Sequence, residues 1–334
     1  MVSIKDISQK SGYSATTISR LFNGDETLNI TNITKKKIID VALEMGYDRS
    51  KIKTTYEKIV ILFYVSEIQV LKDVYFKQLK INLKKYAKLA NMELLFITSP
   101  NEFHTFPNDA SGFIAVGSIP SNQLQLLKER NFKGVVLEYN PTPQYFDTVK
   151  PDTDSITKEA INYFINEGFT KIGFIGGKKY NIDTEHEELD SREIMFRNYL
   201  TTKKLFNEDY IFSGESFSVE GGYNLAKKMV TQLGKNLPQA CLIASDAIAV
   251  GFLQYLYEAN IAVPEDIAII SINDDEIAQF VAPPLTTYRI DTEEIAKTAI
   301  DLLSDQIVHP RNITKTVLIG AELIVRKSFI QKKL

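Results

Sequence analysis

One cysteine, three histidines and no long apolar run set the first limits on this chain of 334 residues. A lone Cys241 can close no intramolecular disulfide and supply no zinc cluster, so a reducing compartment is expected. His104, His186 and His309 stand far apart without metal-ligand spacing and read as scattered surface residues. No stretch approaches the roughly 20 apolar residues that a membrane helix needs. The start, MVSIKDISQK, meets acid and base before a signal-peptide core could develop, so a cytoplasmic chain with no membrane partner is the expectation. Support for catalysis is missing too. Gly173-Phe174-Ile175-Gly176-Gly177-Lys178 is glycine-rich, but residue 172 is not glycine and no Ser or Thr follows Lys178, so the phosphate-loop pattern fails. A close strand-to-helix packing turn is sufficient reason for those glycines. With no nucleophile elbow and no Ser/His/Asp arrangement, neither an enzyme nor a cofactor is expected.

A surplus of one charge is also lacking: 39 Lys and Arg face 42 Asp and Glu, for a net charge of −3. With 44% apolar and 24% charged residues the chain has the composition of a folded globular protein. At about 100–200 residues per domain, two or three domains fit its length. The total conceals an asymmetry, since residues 1–58 hold ten basic and seven acidic groups and the rest carries −6. A basic head on a larger acidic body suggests nucleic-acid contact at one end, although an excess of three is weak support by itself.

The first 50 residues carry a stronger signal. Ser3 with Asp6 three positions on forms a capping-box-like start, and a helix over about 4–11 ends at Gly12. Ser14 caps a second helix with Ile18, Leu21 and Phe22 on one face, ending near Asn23-Gly24. Two short helices joined by a glycine-containing turn make a helix-turn-helix, whose second helix fits a major groove about 12 Å wide. Its opposite face offers Ala15, Thr16, Ser19 and Arg20, residue types that read bases and phosphates. A third helix begins near Thr31 or Thr34, passes through Lys35-Lys36-Lys37 and packs Ile38, Ile39, Val41, Ala42 and Met45 before Gly46-Tyr47.

The ordered run Ile4-Lys5-Asp6-Ile7, Ser11-Gly12-Tyr13-Ser14, Thr17-Ile18-Ser19-Arg20 and Asn23, followed by Ile38, Ala42 and Met45-Gly46-Tyr47, resembles the DNA-binding head of the lactose-repressor (LacI/GalR) family of bacterial regulators. The resemblance implies that Ala15, Thr16 and Arg20 face base edges, while Ser14, Thr17, Ser19 and Asn23 contact phosphates. Residues 24–29 look about two residues longer than the common family pattern. Members also carry a hinge with Asn, Ala and Leu spaced three apart, whose Leu wedges into the minor groove. Here the matching positions are Ser50, Lys53 and Tyr56. Tyr56 or Ile52 would have to replace the apolar wedge by which such hinges kink DNA.

Beyond residue 58, apolar runs at 59–65, 94–98, 112–117, 134–139, 171–177, 240–245 and 267–272 alternate with helical stretches near 74–90, 121–131, 154–167, 187–204, 219–232, 247–259 and 292–306. Such alternation points to two doubly wound parallel-sheet lobes. The expected organisation is therefore an all-α helix-turn-helix head at 1–49, a hinge at 50–58 and an α/β body at 59–334. Lobe one takes about 59–155 and 291–318, and lobe two about 156–290 and 319–330. By the family resemblance the body is like a periplasmic sugar-binding protein, with the effector bound between its lobes. Carried over residue by residue, Asn273 matches the family's sugar-bonding Asp/Asn, Arg192 its ligand-binding Arg, and Ser245 with Asp246 its Asn-Asp pair. Tyr75 and Phe76 are candidates to stack on a sugar's apolar face, with core packing equally open for them. Glu138 falls where the family often has Asp, and for Asp246 a helix N-cap competes with ligand contact.

The function expected is a DNA-binding regulator, a repressor of a carbohydrate-use operon, acting as a homodimer or tetramer on a pseudo-palindromic operator. Relatives with a similarly altered hinge regulate galactose or galactosides, which makes such a sugar the suggested effector. The alternative is a non-catalytic sugar-binding protein of a transport system, which the basic head opposes.

Overall fold

The computed structural model describes residues 2–25, 27–54, 57–65, 74–214 and 216–329, with the side chains of Asn32 and Ser50 excluded. Tyr56 lies outside the described residues.

Three helices form the head: α1 (Ile4–Ser11), α2 (Ala15–Phe22) and α3 (Asn32–Glu44). Their bounds follow from local bonding. Ser3 and Asp6 exchange bonds as a full capping box on α1, and Gly12 ends it at φ 79°, a conformation that costs glycine least. Ser14 caps α2 by accepting from Thr17 N, and Thr31 caps α3 by accepting from Thr34 N. Ile7, Ile18, Leu21, Phe22, Ile38, Ile39 and Ala42 close a small core, with Val41 and Met45 packed against it. Ile52 is fully buried in the same core. Lys53 N bonds Phe22 O at 2.6 Å and the Thr54 hydroxyl donates to Leu21 O, so residues 52–54 lie along α2. An apolar side chain consumed by this core is not the exposed wedge that a hinge needs, so Ile52 does not serve as one here.

The rest of the chain alternates strands and helices. Through the first half run β1 (Glu57–Tyr64), α4 (Val74–Leu89), β2 (Met92–Ile97), β3 (Gly112–Gly117), α5 (Ser121–Glu129), β4 (Gly134–Leu137), β5 (Asp147–Pro151), α6 (Thr153–Asn166) and β6 (Ile172–Asn181). There follow β7 (His186–Leu189), α7 (Ser191–Thr202), β8 (Ile211–Gly214), α8 (Val219–Leu233), β9 (Ala240–Ile243), α9 (Asp246–Glu258) and β10 (Ala268–Asn273). The last are β11 (Thr286–Arg289), α10 (Thr292–Val308), β12 (Thr316–Ile319) and β13 (Glu322–Ile324).

Two compact units result. Residues up to 65, Gln78–Lys150 and Thr292–Val317 form one, and residues 74–77, Pro151–Asp291 and the chain from Leu318 form the other. The first holds a six-stranded sheet in the order β12-β5-β4-β3-β1-β2, and the second a sheet in the order β13-β11-β10-β9-β6-β7 with β8 paired to β6. Central strands such as β1, EKIVILFY, are buried almost throughout, as parallel strands covered on both faces must be. In the second unit α8 and α9 approach backbone to backbone. A Cβ on Gly251 would sit 1.7 Å from Val219 O, and one on Gly222 2.0 Å from Ile248 O.

Two expectations need correction. The glycines at 176 and 177 lie within β6 rather than in a strand-to-helix turn, and a Cβ on Gly177 would come within 2.7 Å of the Phe217 ring. The helix expected over 187–204 starts only at Ser191, because residues 186–189 pair antiparallel with β6, from Asn181↔His186 to Lys178↔Leu189, and Asp190 then caps the helix.

In the first unit, Arg49 joins the segment after α3 to the sheet layer. Its Nε donates to Ala90 O at 2.9 Å, Nη1 to the Ser304 hydroxyl and Nη2 to Glu57. The head itself rests mainly on its core. Ile18→Ala is therefore expected to cost about 2–5 kcal/mol. Amide hydrogen exchange should show α1–α3 opening more readily while β9 and β10 keep wild-type protection. Unchanged protection of the head would contradict this account of its core.

Candidate functional site

Two groups of functional residues emerge, one on the head and one at the carboxyl ends of strands in the second unit. On the head, the buried face of α2 carries Ile18, Leu21 and Phe22. Ser14, Ala15, Thr16, Arg20 and Asn23 are exposed, while Thr17 and Ser19 are half-buried at its margins. Ser14 and Thr17 share a hydroxyl bond of 2.8 Å, and Asn23 Nδ2 donates to Ser19 O at 2.9 Å. Arg20 is held from one side, by Asp25 at 2.7 Å and Thr27 at 2.9 Å. That arrangement was not foreseen, since neither loop residue belongs to the helix pattern.

In the second unit, the chain leaves the apolar strands and becomes polar at once. Asp190 accepts from Arg192 N at 2.9 Å as the cap of α7, from Arg192 Nε at 2.6 Å and from Nη2 at 3.0 Å. Arg192 Nη1 donates to Ala244 O at 2.5 Å, and its guanidinium lies 5.0 Å from the Phe217 ring centre. Asp190 is wholly buried and is also approached by Lys179 at 3.3 Å. Burial opposes its ionisation, but the Arg192 charge and bonds outweigh that and hold the carboxyl well below the usual range. The result is a planar donor group fixed in direction, with an aromatic face against it. Asp190 could be suspected from sequence as a helix cap, whereas Phe217 is brought in by tertiary packing alone.

The neighbouring motif takes a different role from the one expected. Ser245, 4% exposed, is the N-cap of α9, accepting from Ile248 N at 3.4 Å. Asp246 is neither cap nor open ligand group. It is completely buried, accepting from Ser271 Oγ at 2.5 Å, Thr287 Oγ1 at 2.8 Å and Asp275 N at 2.7 Å. β10, the turn after it and β11 are thereby tied to a residue just past β9, and both Asp246 oxygens accept bonds inside the protein, while Ser245 Oγ serves as the cap of α9. Burial raises the Asp246 carboxyl to about 6, against the pull of its three donors.

Asn273, half-buried with φ 124°, ends β10 and turns the chain into Asp274, which accepts from Arg289 Nε at 2.8 Å and Arg326 Nη2 at 2.6 Å. In the second unit Ser245 and Asp246 follow β9, Asn273 ends β10, and Arg192, in the first turn of α7, reaches the end of β9 through Ala244 O. Glu138 lies in the first unit, just past β4, at φ 64° with its N–H on Val149 O at 3.1 Å. Tyr75 and Phe76 occupy the first turn of α4, half-buried, their rings edge to face at 5.2 Å. Among the described residues no group of three or more His, Cys, Asp or Glu could hold a metal ion, and no helix is long and apolar enough to cross a membrane. Cys241 is buried and its thiol is pushed well above the usual range, which suppresses the nucleophilic thiolate.

Residues 161–329 match the family model for a periplasmic binding protein-like domain. The chain is 40% identical over 328 residues to the HTH-type transcriptional regulator GanR of Bacillus subtilis (strain 168), covering 98% of this chain and 99% of that protein. The chain belongs to the LacI/GalR family of bacterial transcription regulators. Two solved structures share the fold across head and body. One is a lac repressor dimer bound to operator and the anti-inducer ONPF, with a TM-score of 0.71 at 19% identity, covering 98% of this chain and 99% of that one. The other is the transcriptional regulator CelR–cellobiose complex, with a TM-score of 0.70 at 18% identity, covering 98% and 100%. Membership in this family accounts for a binding-protein-like body and a helix-turn-helix head in one chain. A transport component would share only the first of these.

Asp246→Ala would leave two buried hydroxyls and one N–H without their acceptor, and is expected to cost at least about 2 kcal/mol in the second unit. Because burial raises the Asp246 carboxyl above its unfolded value, the part of its contribution that depends on protonation is complete below about pH 4 and lost as pH rises through about 6. Denaturant unfolding of both proteins over this range should show their stability difference shrinking toward pH 6. A constant difference would reject the role given to burial.

Proposed function

We propose that this LacI/GalR-family regulator is a homodimeric repressor of a carbohydrate-use operon, controlled by a sugar bound by Arg192 at the start of α7 and Asn273 at the end of β10. The observation that carries the effector reading is the Arg192 guanidinium. It is fixed by Asp190 and Ala244 O, stacked on Phe217, and 14% exposed. Adjacent sugar hydroxyls are well met by planar side chains offering paired hydrogen bonds, and an aromatic ring complements the apolar face of the pyranose. Cellobiose in the CelR structure supports a sugar as the ligand class, and galactose or a galactoside is the specific proposal. Glu138, Tyr75 and Phe76 are further proposed effector contacts.

On the head, the base-reading set is Ala15, Thr16 and Arg20, with Ser14, Thr17, Ser19 and Asn23 on phosphates and Tyr56 at the hinge. A twofold dimer would place two such heads on the half-sites of a pseudo-palindrome. The lac repressor dimer on its operator supports that assembly. Control follows from linkage: a sugar shifts DNA affinity only by its differential affinity for two states of the protein, typically about 1–3 kcal/mol.

Two experiments test this reading. The purified protein is expected to retard DNA from upstream of its own gene, and raising salt from 50 to 200 mM should weaken binding steeply, by the counterion release that follows phosphate neutralisation. Absent or salt-insensitive retardation would sink the repressor reading. Arg192→Ala is expected to retain wild-type DNA binding and to lose both the galactoside response and galactoside-induced thermal stabilisation. A normal dose-response in that variant would remove Arg192 from the effector site.

A further inference from the structure

Between α2 and α3 runs a hydrogen-bond circuit that converges on Arg20. Asp25 Oδ2 accepts from Arg20 Nε at 2.7 Å, and Thr27 Oγ1 accepts from Arg20 Nη2 at 2.9 Å. Thr27 gives its hydroxyl proton to Asp25 Oδ1 at 2.6 Å and its backbone N–H to the same oxygen at 2.9 Å. The loop is anchored to the end of α2, because Asp25 N donates to Arg20 O at 3.1 Å and Gly24 N to Leu21 O at 3.0 Å. Donor and acceptor roles are consistent around the ring: the Thr27 hydroxyl accepts from the guanidinium while donating to the carboxylate.

A guanidinium carries five N–H groups in one plane. The circuit uses Nε–H and one Nη2–H. Outside it remains the end of the fork, made by Nη1 and the second Nη2 proton. That end has the spacing of the O6 and N7 acceptors which guanine shows in the major groove.

We propose that Asp25 and Thr27 are positioning residues for Arg20, fixing the plane and direction of its guanidinium so that its outer edge meets a guanine. The proposal rests on the reading of α2 as the element that enters the groove. Arg20 and Asp25 are 43% and 31% exposed in their side chains, and a pair so open to water adds little to fold stability. Orientation is what the circuit supplies. An unrestrained arginine loses much rotamer freedom on docking, and one already held loses less. The Asp25 carboxyl is lowered to about 2, first by the Arg20 bond and then by Thr27, so the circuit persists at neutral pH. Both partners come from residues 24–29, outside the helix-turn-helix pattern itself.

The test uses the full-length protein to select duplexes from a random library, giving a base preference at every position. Arg20→Ala is expected to erase a guanine preference at one position of each half-site. Asp25→Asn and Thr27→Val should each lower guanine-over-adenine discrimination at that same position by about tenfold, the size of one charge-assisted hydrogen bond. Other positions and the unfolding temperature should stay as in the wild type. Neither substitution should add to the loss in an Arg20→Ala background, and Thr27→Ser should restore discrimination. Unchanged discrimination in both variants, equal weakening at all positions, or an additive loss with Arg20→Ala would overturn the proposal. A uniform gain in affinity would overturn it too, by showing that the circuit withholds Arg20 from DNA. If the wild-type protein selects no sequence, the reading of α2 itself fails and takes the proposal with it. Sequence selection that survives with Asp25→Asn indistinguishable from wild type rejects the proposal alone.

Discussion

A parallel strand covered on both faces is largely apolar along its length, so most of its chemistry falls where the strand ends. In the second unit β9, ACLI, is apolar throughout, and β10, AIISIN, carries only Ser271 before its last residue. At their ends the chain presents Ala244 O beside Ser245, then Asn273 and Asp274, within the span of one sheet edge. The helices that follow must start at those ends, and their caps compete with any ligand for the same polar atoms. Ser245 caps a helix in this way, and Asp246 is engaged more fully, as the tie for Ser271, Thr287 and Asp275. What stays available for a ligand is then set by which groups the fold has already satisfied.

Arginine held by a carboxylate recurs across both units. Asp190 holds Arg192, Asp274 holds Arg326 and Arg289, and Asp147 holds Arg311. Asp190 and Asp147 are wholly buried, and such pairs persist because the geometry is bidentate and the remaining lone pairs find donors. At the surface Asp25 holds Arg20 by the same chemistry with far less burial. The energetic value differs between these settings, but the geometric result is shared: a flexible cation becomes a directed plane. In the proposed function one such plane faces guanine and another a hydroxyl-rich ligand, so the same geometric result would serve twice.

The architecture was legible to a large degree. Capping residues at Ser3, Ser14 and Thr31 and the glycine at 12 delimit the head helices by local bonding, which sequence spells out directly. Long apolar runs located β1, β3 and β10 almost to the residue. The strands β5, β8, β11, β12 and β13 are not legible in the sequence, because three to five residues are too few to show a period. Only the β7 arm of the β6–β7 hairpin falls within the helix expected over 187–204, since its register depends on pairing across the turn and not on apolar spacing.

The sequence alone determined the helix-turn-helix head, the α/β alternation of the body and the family, because each of these is written in local patterns of caps, turns and apolar period. It also named Arg20, Arg192 and Asn273 as the polar side chains to watch. Only the tertiary structure decided what those side chains are free to do. Phe217 and Ala244 O reach Arg192 from other parts of the chain, Asp246 is withdrawn into a buried tie, and Ile52 is taken into the head core. Hydrogen-bond satisfaction and burial are properties of neighbours in space, and those neighbours exist only once the chain has folded.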